Sequence, residues 1–186
     1  MSRFAIIETP LAGLKVIERQ RIGDERGFLS RLFCAEELQS AGWTKPITQI
    51  NHTLTQKRGT VRGMHFQFPP HAEMKLVSCI RGEVWDVAVD FRKGSKTFLH
   101  WHAERLSADN RRALLIPEGF AHGFQTLSND AELLYCHSQF YTPQAECGLN
   151  PCDDRLKIQW PLEIAEMSAR DSNHPMLTDK IEGVSL

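Results

Sequence analysis

The sequence predicts a mainly β protein: an antiparallel double-sheet jelly-roll barrel with a few short helices. Three observations carry that expectation. Short β-favouring runs recur along the 186 residues, separated by Gly, Pro, Asn and Asp. One run, Glu83–Phe91, alternates, with Trp85, Val87, Val89 and Phe91 on an apolar face and Asp86, Ala88 and Asp90 on a partly polar one. Helical signals are sparse.

In chain order, Lys15–Glu18 and Gly27–Phe33 are the first strand candidates. Cys34–Trp43, "CAEELQSAGW", reads as a short helix closed by Gly42, because glycine reaches the left-handed conformation that ends helices. Strand candidates then follow at Lys75–Ile80, Glu83–Phe91, Leu99–Leu106, Arg112–Ile116, Gly123–Thr126 and Glu132–Phe140, with turns at Gly82 and Gly94. Leu162–Asp171 follows Pro161 and is either helical or irregular. No repeat, low-complexity tract or linker interrupts the chain, so residues 1–186 are expected to form one domain. A closed barrel leaves a mouth where polar side chains converge.

Composition narrows the function. The 22 Lys and Arg against 23 Asp and Glu lack the basic surplus of a general nucleic-acid binder. A local anion site stays open, because net charge does not say where charges sit. The start lacks the apolar run and cleavage site of a signal peptide, and no stretch approaches the roughly 20 apolar residues that span a bilayer. A cytoplasmic protein without membrane contact is expected. Cys34, Cys79, Cys136, Cys147 and Cys152 are an odd set, read as reduced thiols, and Cys147 and Cys152 lack the second pair of a structural zinc site.

Two stretches could do chemistry. In "LLIPEGFAHGF", Pro117-x-Gly119-x-x-His122 is similar to the second motif of the cupin superfamily of small jelly-roll barrels. The motif would turn His122 into the barrel; an ordinary Pro-Gly turn before a buried histidine explains the same residues. In "RGMHFQFPPHAEMK" (Arg62–Lys75), metal-binding cupins carry a His-x-His pair and a nearby glutamate. Here Gln67 takes the place of the second imidazole and Glu73 lies too far on. Glutamine is a poor ligand, so no metal and no cofactor are expected, and His71 and Glu73 read as loop bystanders. His100-Trp101-His102 puts two rings on one side of a strand without a third ligand, which fits a solvent-facing pair opposite a buried tryptophan.

Without a metal, the same residues suit proton transfer. An imidazole titrating near pH 6.5 is a good general base. Lys75 adds a positive charge, and the planar fork of Arg62 matches phosphate. A solvated pair at strand ends is the alternative for these two.

The stretch from "QINHTLTQKRGTVRGMHFQFPPHAEMK" to "FRKGS", with "LIPEGFAHGF", "YCHSQFYTPQAECG", "IQWPL" and "SARD", resembles the dTDP-4-dehydrorhamnose 3,5-epimerase family from about "DERGF" onward. The resemblance implies a cupin jelly roll without a catalytic metal, usually a homodimer, acting on a nucleotide-linked 4-keto-6-deoxyhexose. It implies His65 as base, Asp171 as its partner in a dyad, Lys75 at the enolate oxygen and Tyr135 as proton donor. Read locally, Ser168-x-x-Asp171 is a helix cap and Tyr135 a strand aromatic. The resemblance further puts Arg62, Gln49, Asn51 and His122 around sugar and pyrophosphate, Tyr141 on the base, and Arg26 on a phosphate across the dimer. A carbon acid roughly ten pKa units above an imidazole leaves a gap of about 14 kcal/mol, so donors or cations at the enolate oxygen must supply much of the difference.

The chain departs from the family's "RGFFxExF": it reads Leu29 where a second Phe stacks on the base and Arg31 where a Glu meets its edge. Arginine suits the bare N3 acceptor of cytosine, whereas a carboxylate suits thymine's N–H. A CDP-linked sugar is therefore the alternative to dTDP, and epimerisation at C3 alone, C5 alone or both stays open. A metal cupin and a non-catalytic sugar-nucleotide binder are more distant readings. "GLNPCDDRLKIQWP" is a second departure, lacking the aromatic-Asp pair of many relatives.

Overall fold

The computed structural model describes residues 2–186. Two six-stranded sheets face each other. The first has the order β1 (Phe4–Glu8), β2 (Lys15–Arg19), β10 (Arg112–Ile116), β7 (Lys75–Arg81), β12 (Ala131–His137), β5 (Gln49–Thr55). The second runs β13 (Glu146–Gly148), β6 (Thr60–Gln67), β11 (Phe120–Thr126), β8 (Glu83–Asp90), β9 (Trp101–Ser107), with β14 (Glu166–Met167) parallel to β6. A separate hairpin joins β3 (Arg21–Asp24) and β4 (Gly27–Ser30). The expected antiparallel double-sheet jelly roll is the observed architecture.

Alternation along the strands builds the layers. Val16, Val77, Leu114 and Leu133 from the first sheet meet Val84, Ala88, Leu106 and Phe124 from the second in one buried cluster. The opposite face of the first sheet, with Ile17, Leu76 and Leu115, is covered by Leu38 and Trp43. The outer face of the second, with Met64, Val87 and Val89, is covered by Leu149, Leu156 and Val184. Glu83–Phe91 corrects the expected amphipathic strand: Asp86, Ala88 and Asp90 are as buried as their apolar neighbours, because that face turns into the barrel. Each aspartate has partners there. Asp90 accepts from Arg92, Ser95 and Thr97, and Asp86 faces His122.

The helix expected over Cys34–Trp43 is α1 (Ala35–Gln39) and its closing turn. Gly42 has φ +103°, and the Trp43 amide donates to the Leu38 carbonyl. Leu162–Asp171 is mostly irregular and ends in α2 (Ala169–Ser172). Turns fall at Gly82 and Gly94 as expected, both with positive φ. All five cysteines are free thiols. Among the described residues, no helix is long and apolar enough to cross a membrane.

Candidate active site

The two sheets open at one end around a cavity of about 370 Å³. His65 and Arg62 reach it from β6, His122 from β11, Lys75 from β7, Tyr135 from β12, and Gln49 and Asn51 from β5, with Tyr141 at its edge. Close backbone approach fixes the His65–His122 wall. A Cβ on Gly63 would lie 2.4 Å from Gly123 Cα, and one on Gly123 would lie 2.6 Å from Met64 Sδ, so only glycines let β6 and β11 meet here.

His65 Nε2 lies 2.7 Å from Asp171 Oδ1. The second Asp171 oxygen accepts from the Gly63 amide at 3.1 Å, and the Asp171 amide donates to Ser168 Oγ at 3.0 Å. Both readings of Ser168-x-x-Asp171 therefore hold: the serine caps α2, and that cap aims the carboxylate at His65. Burial pushes Asp171 up, but the hydrogen bond and charge of His65, the Gly63 amide and Arg170 outweigh it and hold the carboxyl at about 2. Arg170 Nη2 stands 2.9 Å from the same Nε2. One nitrogen cannot donate to Asp171 and accept from Arg170 together. The buried carboxylate makes the stronger, charge-assisted bond, so Nε2 carries the proton and Nδ1 keeps a lone pair. Arg170, half-exposed, is balanced by Glu146 at 2.9 Å.

His122 Nε2 sits 3.0 Å from both oxygens of Asp86, deep in the barrel. Burial pushes Asp86 up against the pull of His122. The Tyr135 ring packs edge-on to His122 with centroids 6.0 Å apart. Burial, then the charge of Asp86, raise the Tyr135 phenol, so it stays protonated at any working pH. Lys75 is 7% exposed and ion-paired to Glu73 at 3.1 Å. Tyr141 donates to Glu146 Oε2 at 2.7 Å, and its amide donates to Gln49 Oε1 at 3.1 Å.

Gln67 is a structural tie. Its amide donates to the His71 and Phe140 carbonyls and accepts from the Thr142 amide, pinning the loop beside the cavity. His65, Asp171 and His174 offer ligand atoms within 4.8 Å of one another, but the Arg170 guanidinium already supplies a cation there. His100 is exposed and His102 half-buried near Glu104, away from the cavity.

Arg26, Leu29 and Arg31 do not reach the cavity of their own chain. Arg26 and Leu29 lie on the β3–β4 hairpin, where Arg26 pairs with Asp24 and Leu29 is 72% exposed; Arg31 pairs with Glu37 of α1. Glu73 is corrected from loop bystander to buried wall residue, held by Lys75 and His137. His137, Asp86, Arg170 and Glu146 were missed. The i, i+2 spacing of Tyr135 and His137 and the lone aspartate inside an apolar strand were the available signals.

A jelly-roll barrel that gathers three histidine–carboxylate pairs, a buried lysine and a buried phenol around one cavity belongs to the class of acid–base barrels that move protons. Comparison gives the particular family. The sequence model described as dTDP-4-dehydrorhamnose 3,5-epimerase matches residues 8–179. The dTDP-4-dehydrorhamnose 3,5-epimerase of Shigella flexneri is 42% identical over 175 residues, covering 94% of this chain and 96% of that protein. The dTDP-6-deoxy-D-glucose-3,5-epimerase of Legionella pneumophila, solved with dTDP-4-keto-L-rhamnose, superposes with a TM-score of 0.92 at 39% identity over 98% of both chains. A 3'-monoepimerase of Streptomyces bikiniensis, solved with dTDP-quinovose, gives 0.85 at 32% identity over 91% of this chain and 86% of that one. The chain belongs to the dTDP-4-dehydrorhamnose 3,5-epimerase family and is an isomerase.

Proposed function

We propose that the chain, working as one barrel domain, epimerises C3 and C5 of dTDP-4-dehydro-6-deoxyglucose to give dTDP-4-dehydrorhamnose in deoxysugar biosynthesis. One observation carries the reading: His65 and Tyr135 face one cavity from two different sheets. A base on one wall and an acid on the other take a proton from one face of a carbon and return it to the opposite face, which inverts the carbon.

The C4 ketone makes the neighbouring C–H bonds acidic. His65 Nδ1 takes the proton, the C–H electrons form the enolate double bond, and the carbonyl pair moves to O4. The Lys75 ammonium stabilises that oxyanion in a dry site, where a charge is worth most. Asp171 holds the ring and stabilises the imidazolium. Tyr135 then gives its proton to the carbon from the other side, and the ketone re-forms. Arg62, with Gln49, Asn51 and His122, lines sugar and pyrophosphate, and Tyr141 stacks on the base.

A homodimer completes the site. The exposed Phe28 and Leu29 of the hairpin and the exposed Ile50 and Leu54 of the edge strand β5 support a second copy, with Arg26 crossing to the partner's pyrophosphate. Arg31 pairs with Glu37 in its own chain, and the dTDP-sugars bound by the relatives from Legionella pneumophila and Streptomyces bikiniensis support dTDP over CDP. Titration with both nucleotides tests this: dTDP binds at least about tenfold tighter (roughly 1.4 kcal/mol), and equal or tighter CDP binding overturns the assignment. NMR of the 4-keto sugar in heavy water tests the activity, with deuterium expected at C3 and C5. Label at one carbon alone makes the chain a mono-epimerase, and no label refutes catalysis.

A further inference from the structure

The reaction steps leave one buried carboxylate and one buried histidine of the cavity wall without a role. Lys75 Nζ lies 3.1 Å from Glu73 Oε1 and 3.4 Å from the His65 carbonyl oxygen. The other Glu73 oxygen, Oε2, accepts from His137 Nδ1 at 2.8 Å. The His137 ring stacks on Tyr135, with centroids 5.9 Å apart and planes 21° from parallel. Its Nε2 stands 3.4 Å from Asn51 Nδ2, which suits the tautomer with the proton on Nδ1. Burial pushes Glu73 up, but the Lys75 charge and the His137 bond outweigh it and hold the carboxyl below its ordinary range.

We propose that Glu73 and His137 are positioning residues of Lys75, an inference that rests on the epimerase reading and deepens it. A lysine ammonium on four flexible carbons has no preferred place in a cavity. Glu73 gives it one, and His137, itself stacked on Tyr135, holds Glu73 through the bond from Nδ1 to Oε2. The chain Tyr135–His137–Glu73–Lys75 thereby sets the distance between proton donor and enolate cation. It also balances charge. Before the enolate forms, a buried ammonium without a partner would be costly, and Glu73 offsets it. The charged and titratable groups around the couple are Asp86 and His122 from β8 and β11, His65 and Arg62 from β6, and Arg170 and Glu146 at the mouth.

The test uses Glu73→Gln, His137→Val and His137→Asn in the full chain, the last keeping an N–H near the Nδ1 position. In the heavy-water assay, Glu73→Gln and His137→Val should lower kcat by roughly 10- to 100-fold with KM changed by less than about threefold, the scale of an ångström-sized misplacement. His137→Asn should recover most of the loss. Unchanged kcat in Glu73→Gln, or a His137→Asn variant as slow as His137→Val, overturns the proposal. A second readout is independent of activity. Trinitrophenylation of Lys75 by trinitrobenzenesulfonate, in which the amine displaces sulfite from the ring, at mildly alkaline pH and followed by peptide mapping, should be faster in Glu73→Gln than in the unaltered protein, and an equal rate overturns the proposal. An unaltered protein without exchange refutes the epimerase reading, while the labelling still decides the role of the couple.

Discussion

The cavity wall and the β3–β4 hairpin hold two halves of the residues expected to meet the substrate, and they hold them differently. His65, Lys75 and Tyr135 stand on strands inside the sheets, each tied to a second polar group or packed against another ring. Arg26 stands on an exposed hairpin and pairs only with Asp24, two residues away. The difference separates chemistry from recognition. The groups proposed to move protons are assembled within one chain together with Arg62 and Tyr141, whereas Arg26 lies outside that cavity.

That contrast predicts a ranked series of effects. Removing the base, His65→Ala, should lower exchange by about 10³-fold or more while dTDP still binds, read by NMR exchange and calorimetry. Asp171→Asn should follow with a loss of about 10²-fold in kcat, since it keeps the shape but not the charge. On the hairpin, Arg26→Ala should raise KM roughly tenfold and leave kcat within about twofold, the value of one or two phosphate contacts. If Arg26 crosses the dimer, mixing Arg26→Ala with His65→Ala should regenerate one complete site per heterodimer and restore activity at low substrate. The absence of rescue would assign Arg26 to its own chain and break the contrast.

Stability sharpens the same comparison. Asp171 is held at about 2, below its ordinary value, so its ionised form contributes stability that is full above about pH 4 and lost as pH falls through 2. Asp171→Asn should cost roughly 2 kcal/mol at neutral pH and progressively less as pH falls through 2, measured by urea unfolding across pH. Asp24 is also depressed, by its hydrogen bonds to Arg26, but it lies in solvent. Asp24→Asn should therefore leave stability unchanged within error. Smallest of all, Arg31→Ala removes one surface ion pair with Glu37 and should change stability by less than about 1 kcal/mol.

Much of this was legible in the sequence, for reasons that particular residues make plain. Lys75–Ile80 and Arg112–Ile116 are dense in β-favouring side chains and fold as read. Two site-bearing strands were not legible. In Thr60–Gln67, Arg62 and Gly63 interrupt any period of two, and Gln49–Thr55 is an edge strand with a largely polar sequence. The His65 motif was readable while its strand was not, because chemistry shows in residue types and pairing shows only in space. Asp171 reaches His65 across 106 residues, and Glu73 reaches His137 across 64. No local pattern encodes such meetings. The resemblance to known epimerases supplied the first pair, and only the folded chain brings the second together. Arg31 stands out in the sequence by its type alone, and its pairing with Glu37 of α1 is visible only in the folded chain.

In the proposed reaction, His65 on one wall and Tyr135 on the other invert a carbon next to a ketone. Its most direct test is deuterium exchange into dTDP-4-dehydro-6-deoxyglucose in heavy water, followed at C3 and C5 by NMR for the unaltered protein, His65→Ala and Tyr135→Phe. Label is expected at both carbons with the unaltered protein, none with His65→Ala, and wash-in without complete inversion with Tyr135→Phe. Full exchange and inversion in the His65→Ala protein would contradict it.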